Sequence, residues 1–184
     1  MTDSEPKLSK KQILTGIAGA LAMLIGIGML SFLGIRKIRR ELHKQELMRT
    51  NVVIEIPDLH IKAPVLEGTE QSVLSQGAGH FTGTGAVGKG NYCIAGHSSV
   101  IYKEYFNQLK YAQPEMLLYL YDIQKNAYVY TIRESFIVNP DETWILNDFD
   151  DDRVTLVTCT DDGSQRLIIT AILNESPDYP ATDS

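Results

Sequence analysis

Hydropathy divides this 184-residue chain into three regimes. Residues 13–35 are apolar without one charged side chain, a run long enough to cross a hydrocarbon core of roughly 30 Å. Gly16, Gly19, Gly26, Gly28 and Gly34 lie within it, and membrane helices tolerate glycine better than soluble helices do. The run passes into Arg36, Lys37, Arg39 and Arg40 with no small-residue exit of the A-x-A kind, so it reads as an uncleaved transmembrane anchor rather than a signal peptide. Segment 1–12 precedes the anchor. Segment 36–51 reads as a basic juxtamembrane stalk, charged and helix-friendly, ending near Thr50-Asn51.

Past residue 51 the period shortens. Strand candidates lie at 52–56, 61–65, 91–95, 116–121, 127–132, 154–158 and 166–173. In the fifth of these, Tyr128, Tyr130 and Ile132 alternate with Val129 and Thr131, the pattern of a half-buried strand. Helical turns are expected at 70–76 and 102–109. Short strands with one or two helical turns over 52–173 imply a mostly β domain, a barrel or a sandwich, which periodicity does not separate. The segment 174–184 is a polar tail.

Charge sharpens this division. Residues 1–50 carry nine Lys/Arg against four Asp/Glu, and residues 51–184 carry eight against nineteen. An acidic domain argues against nucleic acid as a partner, which demands a basic face, while the basic flank of the anchor suits anionic lipid headgroups. Two cysteines make no disulfide framework, and Cys93, in the apolar run Asn91-Tyr92-Cys93-Ile94-Ala95, reads as a small buried hydrophobe. The segment Gly83-Thr84-Gly85-Ala86-Val87-Gly88-Lys89-Gly90 imitates phosphate-binding motifs, but it lacks the Ser or Thr after Lys and precedes a strand. It reads as a turn. The acidic run Asp148, Asp150, Asp151 and Asp152 has no EF-hand spacing and reads as solvated surface.

Candidate chemistry gathers at strand ends. Cys159 closes Thr155-Leu156-Val157-Thr158-Cys159, His97 follows Ala95-Gly96, and Arg166 opens the last strand. A thiol, an imidazole and a guanidinium so placed can form a nucleophile with its base and a fixed cation. Between Cys159 and Arg166, Asp162-Gly163 signals a type I′ hairpin turn. A turn centred there pairs position 159 with 166, with Cβ atoms roughly 4.5–5.5 Å apart, and so sets the guanidinium beside the thiol. A unit charge about 4 Å away at an effective dielectric of 20 is worth roughly 4 kcal/mol to a thiolate. The residues alone do not choose the base, since His43, His60 and His80 are also present.

The run Thr155–Cys159 with a downstream Arg, an upstream Gly-His and an N-terminal anchor resembles the sortases, membrane-anchored cysteine transpeptidases of Gram-positive bacteria with the signature TLxTC. The resemblance covers roughly residues 52–173. It implies a closed eight-stranded β-barrel, with Cys159 as nucleophile, His97 as proton shuttle and Arg166 holding substrate carbonyls or the developing oxyanion. It also implies Thr158 as a residue lining the substrate groove. No metal or organic cofactor is implied. The substrate would be an LPxTG-like sorting signal cut between Thr and Gly, and the acceptor an amine of a peptidoglycan precursor. The domain would face outward from a single-pass cell-membrane anchor, although three basic residues precede the anchor and six follow it, a bias that alone favours the opposite orientation. Asp-Pro is absent and 174–184 is polar, unlike pilin-polymerising class C enzymes. Only about fifteen residues separate Val138 from Val154, too few for a class B insertion. A compact class A or class D type is expected. The readings set against it are a cysteine hydrolase using water and a membrane-tethered β-barrel that binds without catalysis.

Overall fold

Strand β1 (Val52–Ile56) starts directly beyond helix α1 (Lys10–Thr50), and local hydrogen bonds end the helix. The Thr50 hydroxyl donates to Glu46 O and the Asn51 amide to Leu47 O, while Lys125 Nζ donates to Met48 O at 3.0 Å and Asn51 O at 3.3 Å. Last-turn carbonyls without intrahelical partners are thereby satisfied, with a cation at the negative end of the helix dipole. The computed structural model describes residues 10–98 and 105–174, and within α1 it describes side chains at Gly19 and from Met23 onward. Two compact units result, Met1–Gln45 and Glu46–Ser184.

In the first unit, α1 exposes Met23, Leu24, Ile25, Leu30 and Phe32. Much of the expected anchor, 13–18 and 20–22, lies outside the described side chains. Among the described residues no helix is long and apolar enough to cross a membrane.

The second unit is built on eight strands. Pro57–Leu59 form a 3-10 turn and His60 adopts a left-handed φ of 52°, which reverses the chain so that Ile61 pairs back onto Ile56. Strand β2 (Ile61–Glu67) leads through the short helix α2 (Gln71–Leu74) to β3 (Ala78–His80) and β4 (Asn91–Ala95). Then follow β5 (Leu117–Tyr121), β6 (Ala127–Val138), β7 (Arg153–Cys159) and β8 (Arg166–Leu173). Hydrogen bonding runs in the order β1-β2-β3-β4-β7-β8-β6-β5 and returns to β1, so the barrel is closed and no strand edge is left unpaired. The β2–β3 and β4–β7 pairs are parallel and the rest antiparallel.

The closed eight-stranded barrel is the architecture implied by the resemblance, and it decides between the barrel and the sandwich that periodicity left open. The strands differ from expectation in two places. Strand β3 was not foreseen, because three residues are too few to display alternation. Its Gly79 lies so close to Gly68 that an added Cβ would sit 2.2 Å from the Gly68 carbonyl oxygen. Strand β6 runs on to Val138 through the polar Arg133-Glu134-Ser135, with a bulge between Ile132 and Glu134. The polar stretch hides the continuation from a hydropathy reading. The turn expected at 102–109 falls partly on residues outside the description; beyond them a 3-10 turn spans Leu109–Tyr111. Of the polar tail, Asn174 is fixed by bonds to Val129 and Thr131, and 175–184 lie outside the described residues.

Strand parity separates two apolar clusters. Ile54, Ile94, Leu118, Leu120, Ile132, Val154, Leu156 and Ile169 fill the barrel, joined by Phe106 and Leu109 from the segment after β4. Residues of opposite parity, Val157 and Ile168, join Val138 and Ile145 in a second cluster with Phe81, Phe136 and Leu146. Connection 139–152, with its 3-10 turn Trp144–Leu146, therefore covers the face opposite the core. Phe106 has no exposed surface, so Phe106→Ala should lower unfolding stability by about 3–5 kcal/mol. A urea titration followed by circular dichroism checks this, and an unchanged midpoint would contradict the packing.

Candidate active site

Cys159 ends β7 and lies directly opposite Arg166 at the start of β8. That register is the expected one, but the turn that produces it is different. Thr160 N donates to Gln165 O and Gly163 N to Thr160 O, and of the two central residues only Gly163 takes a positive φ, 74°. The loop is therefore longer than a type I′ turn. The Asp162 side chain explains the change: it accepts from the Thr160 hydroxyl at 2.6 Å, the Ser164 hydroxyl at 2.7 Å and Ser164 N at 3.1 Å. A carboxylate serving as local acceptor builds the turn without a left-handed aspartate. The same bonds, that from Thr160 foremost, hold the Asp162 carboxyl down to about 2.

Arg166 shares the register position with Cys159, yet its Nη1 donates to Gln165 O at 3.1 Å and Gly163 O at 3.4 Å. These two turn carbonyls lie within its reach, so its hydrogen bonds among the described residues go to the hairpin rather than to the sulfur.

On the other side of β7, the parallel β4 pairs Ala95 with Val157. The ladder persists past the strand end. Gly96 N donates to Val157 O at 3.0 Å, and the Ser98 hydroxyl donates to Cys159 O at 2.7 Å. Cys159 and Arg166 share one row across β7 and β8. His97 lies two residues past the end of β4, where the β4–β7 register continued by two positions would bring it level with Cys159. Gly96 is required there because an added Cβ would lie 2.4 Å from the Phe106 ring. Thr158 is 3 % exposed and its hydroxyl donates to Gly96 O at 2.8 Å. It braces the residue before His97 while its other atoms line the cleft. His97 Nε2 is buried and has no hydrogen-bond partner among the described residues, which is uncommon for a buried polar atom and calls for a specific explanation.

The remaining histidines are placed differently. His80 Nδ1 lies 2.8 Å from Glu67 Oε2, its Nε2 is within 3.1 Å of Thr84 Oγ1 and Gly85 O, and its ring stacks on Tyr92 at 4.3 Å. Both nitrogens are engaged, Nδ1 with Glu67 at the end of β2 and Nε2 with the 81–90 loop. His60 is the exposed turn residue after Leu59, and His43 lies on exposed α1. The glycine-rich segment is the turn expected of it, closed by an Ala86–Lys89 bridge, with positive φ at Gly83, Gly88 and Gly90. The acidic run is partly engaged: Asp151 pairs with Arg153 and Asp152 accepts from Gly90 N.

A cleft of about 240 Å³ opens at Cys159, lined also by Ser98, Phe106, Lys110, Asp161 and Leu167. Lys110 Nζ bridges Asp161 at 2.8 Å across its rim, and that bond raises the Lys110 pKa. Sequence reasoning missed Ser98, Lys110 and Asp161; only the adjacency of Ser98 and Asp161 to the two named residues hinted at them. Of the three candidate residues Cys159 lines this cleft, while His97 and Arg166 lie on the neighbouring segments. A partly exposed thiol flanked by an imidazole and a guanidinium can carry acyl transfer through a thioester.

Both cysteines are free, Cys93 buried and Cys159 partly exposed, and burial pushes the Cys93 thiol up to about 11. Iodoacetamide should therefore label one cysteine in the native protein and two after unfolding, and Cys159→Ala should remove the native label. Double labelling of the native protein would overturn this assignment. The depressed Asp162 carboxyl stabilises the fold above its unfolded value near 3.8, and that contribution is lost as pH falls through about 2. Asp162→Asn should therefore flatten the stability curve between these limits, as read by chemical denaturation against pH.

Comparisons with known proteins agree with this fold. A family model described as the Sortase domain matches residues 54–174. Sortase A of Streptococcus agalactiae serotype III (strain NEM316) is 34% identical over 137 residues, covering 71% of this chain and 55% of that protein. Sortase D of Bacillus subtilis (strain 168) is 25% identical, covering 63% of this chain and 57% of that protein. The chain spans about half the length of these relatives. Among solved structures, a Clostridium perfringens sortase D5 transpeptidase superposes with a TM-score of 0.63 at 30% identity, covering 73% of this chain and 88% of that one. Listeria monocytogenes sortase A gives 0.64 at 26% identity, covering 69% and 88%. A barrel with β4 parallel to β7, the TLxTC strand end and a family match over most of the folded unit lead to one conclusion: the chain belongs to the sortase family.

Proposed function

We propose that this protein is a sortase-type cysteine transpeptidase acting on an LPxTG-like sorting signal. The observation that carries the reading is the partly exposed Cys159 at an open cleft, level with Arg166 across β7 and β8 and with His97 just past the end of the neighbouring β4. Cys159 attacks the carbonyl carbon of the Thr–Gly bond as its thiolate. The C–N bond breaks, His97 protonates the departing glycine amine, and a thioester joins the substrate threonine to Cys159. An amine of a peptidoglycan precursor then attacks the thioester, His97 takes its proton, and the thiolate is regenerated. Arg166 exchanges its turn carbonyls for the carbonyl oxygen that gains charge during each attack. Thr158 acts on the groove through its bond to Gly96, which fixes the chain entering His97. None of these steps requires a metal or organic cofactor.

The apolar run 13–35 serves in this reading as a single-pass anchor in the cell membrane, with the barrel on the outer face. The basic residues from Arg36 to Arg49 then lie at the headgroups. Support comes from the length of the run and from the family's mode of action; the charge bias around it favours the other orientation.

Incubation with an LPxTG peptide and an amine, followed by mass spectrometry, tests the reading. The expected result is a thioacyl adduct on Cys159 and an amine-ligated product. An acid product alone would indicate hydrolysis, and an unmodified protein would indicate a binding domain. Cys159→Ala should abolish turnover with the fold intact, and His97→Ala should cost roughly 10²–10⁴ in rate. Retained cleavage by Cys159→Ala would overturn the mechanism.

A further inference from the structure

Asn91 is 2 % exposed and lies at the start of β4, far along the strand from His97. Its Nδ2 donates to Ile145 O at 2.9 Å and Asn147 O at 2.8 Å, and its Oδ1 accepts from the Thr155 hydroxyl at 2.7 Å. Two carbonyls can be met only by the NH₂ end of the amide, and a hydroxyl hydrogen suits the oxygen end, so the orientation is fixed. One buried side chain thus ties together β4, β7 and the 139–152 connection. The Cys93 thiol reaches the same Ile145 carbonyl at 3.9 Å.

That connection forms the wall of a second pocket, about 320 Å³, lined by Phe136, Trp144, Ile145, Phe149 and Ile168 together with the polar Glu134, Arg153, Thr155 and Thr170. Thr155 has the same strand parity as Cys159, so pocket and nucleophile share one face of β7. Apart from its 3-10 turn, the connection has no regular structure, and an irregular segment keeps its shape only where its backbone groups are held.

We propose that Asn91 is a positioning residue that holds the 139–152 connection against β4 and β7, and so shapes the pocket that receives the donor peptide. Its effect on substrate rests on the transpeptidase reading above; the clamp itself does not. Asn91 reaches neither the thiol nor the imidazole. Its loss should therefore weaken capture of the donor while leaving the chemical step in place.

Trp144 is the chain's single tryptophan and is 45 % exposed, so its fluorescence reports this connection and nothing else. In the full-length protein, Asn91→Ala should raise acrylamide quenching of Trp144 about twofold through local opening. It should also raise KM for an LPxTG peptide about tenfold, with kcat little altered. Thr155→Val keeps the strand's shape and both loop bonds but removes the bond that orients the amide, so it should move both readouts the same way by less. This second variant carries the test if Asn91→Ala does not fold. Unchanged Trp144 quenching in either folded variant would overturn the clamp. So would kcat and KM changes that merely track lost stability. If the wild-type protein cleaves no such peptide, the functional reading fails, and the quenching arm still decides the clamp.

Discussion

Strand β7 is held on both sides, parallel to β4 and antiparallel to β8, and every feature of the active site follows from that arrangement. In a parallel pair, residues level with one another present their side chains on the same face, so the chain leaving β4 and the end of β7 arrive together. A parallel pair also needs a long connection; here it runs from residue 96 to 152 and contains β5 and β6. Those strands close the barrel, and the closed barrel in turn fixes β7 against sliding. A shift of one residue would turn Cys159 toward the core and Thr158 outward, since side-chain direction alternates along a strand.

The strand ends are then fixed in detail by few contacts. Thr158 and Val157 grip both polar groups of Gly96, Ser98 holds the Cys159 carbonyl, and the Phe106 ring occupies the space that any side chain at position 96 would need. His97 is thus positioned by its backbone, and its Nε2 has no hydrogen-bond partner among the described residues. On the opposite flank, the Asp162 carboxylate organises the hairpin that brings Arg166 level with the thiol. Polar side chains near the nucleophile hold backbone, and the groups assigned to chemistry remain comparatively unencumbered.

Two faces of the same strands divide the labour between stability and recognition. Val154, Leu156, Ile169 and Ala171 point into the barrel and supply core. Thr155, Val157, Cys159, Arg166, Ile168 and Thr170 have the opposite parity and face the 139–152 connection or the open cleft. An apolar residue on this second face, such as Ile168, therefore serves both as packing for Ile145 and as pocket lining.

Much of this was legible from local signals. Cys159 and Arg166 stand out at strand ends, His97 is singled out among four histidines by the family resemblance, and the pairing of 159 with 166 follows from an Asp-Gly turn whose two flanks lie seven residues apart. Short-range pattern suffices wherever a hairpin joins its partners. It failed for β3, too short to alternate, for the second half of β6, whose outward polar residues break the hydropathy, and for the type of the Asp162-Gly163 turn, which a side-chain acceptor changed. The sequence by itself thus determined the strand-rich class, the apolar run 13–35, the candidate residues and the hairpin register. Only the tertiary structure decided that β4 lies parallel to β7, that His80 is spent on Glu67 and Thr84, that Thr158 holds Gly96, and that Asn91 grips a connection more than fifty residues away. For three of these the physical reason is shared: the hydrogen-bond partners lie more than fifty residues away, and local propensity carries no information about which distant group will satisfy a buried donor or acceptor. His80 has nearer partners, and local sequence does not say which of them its ring will meet.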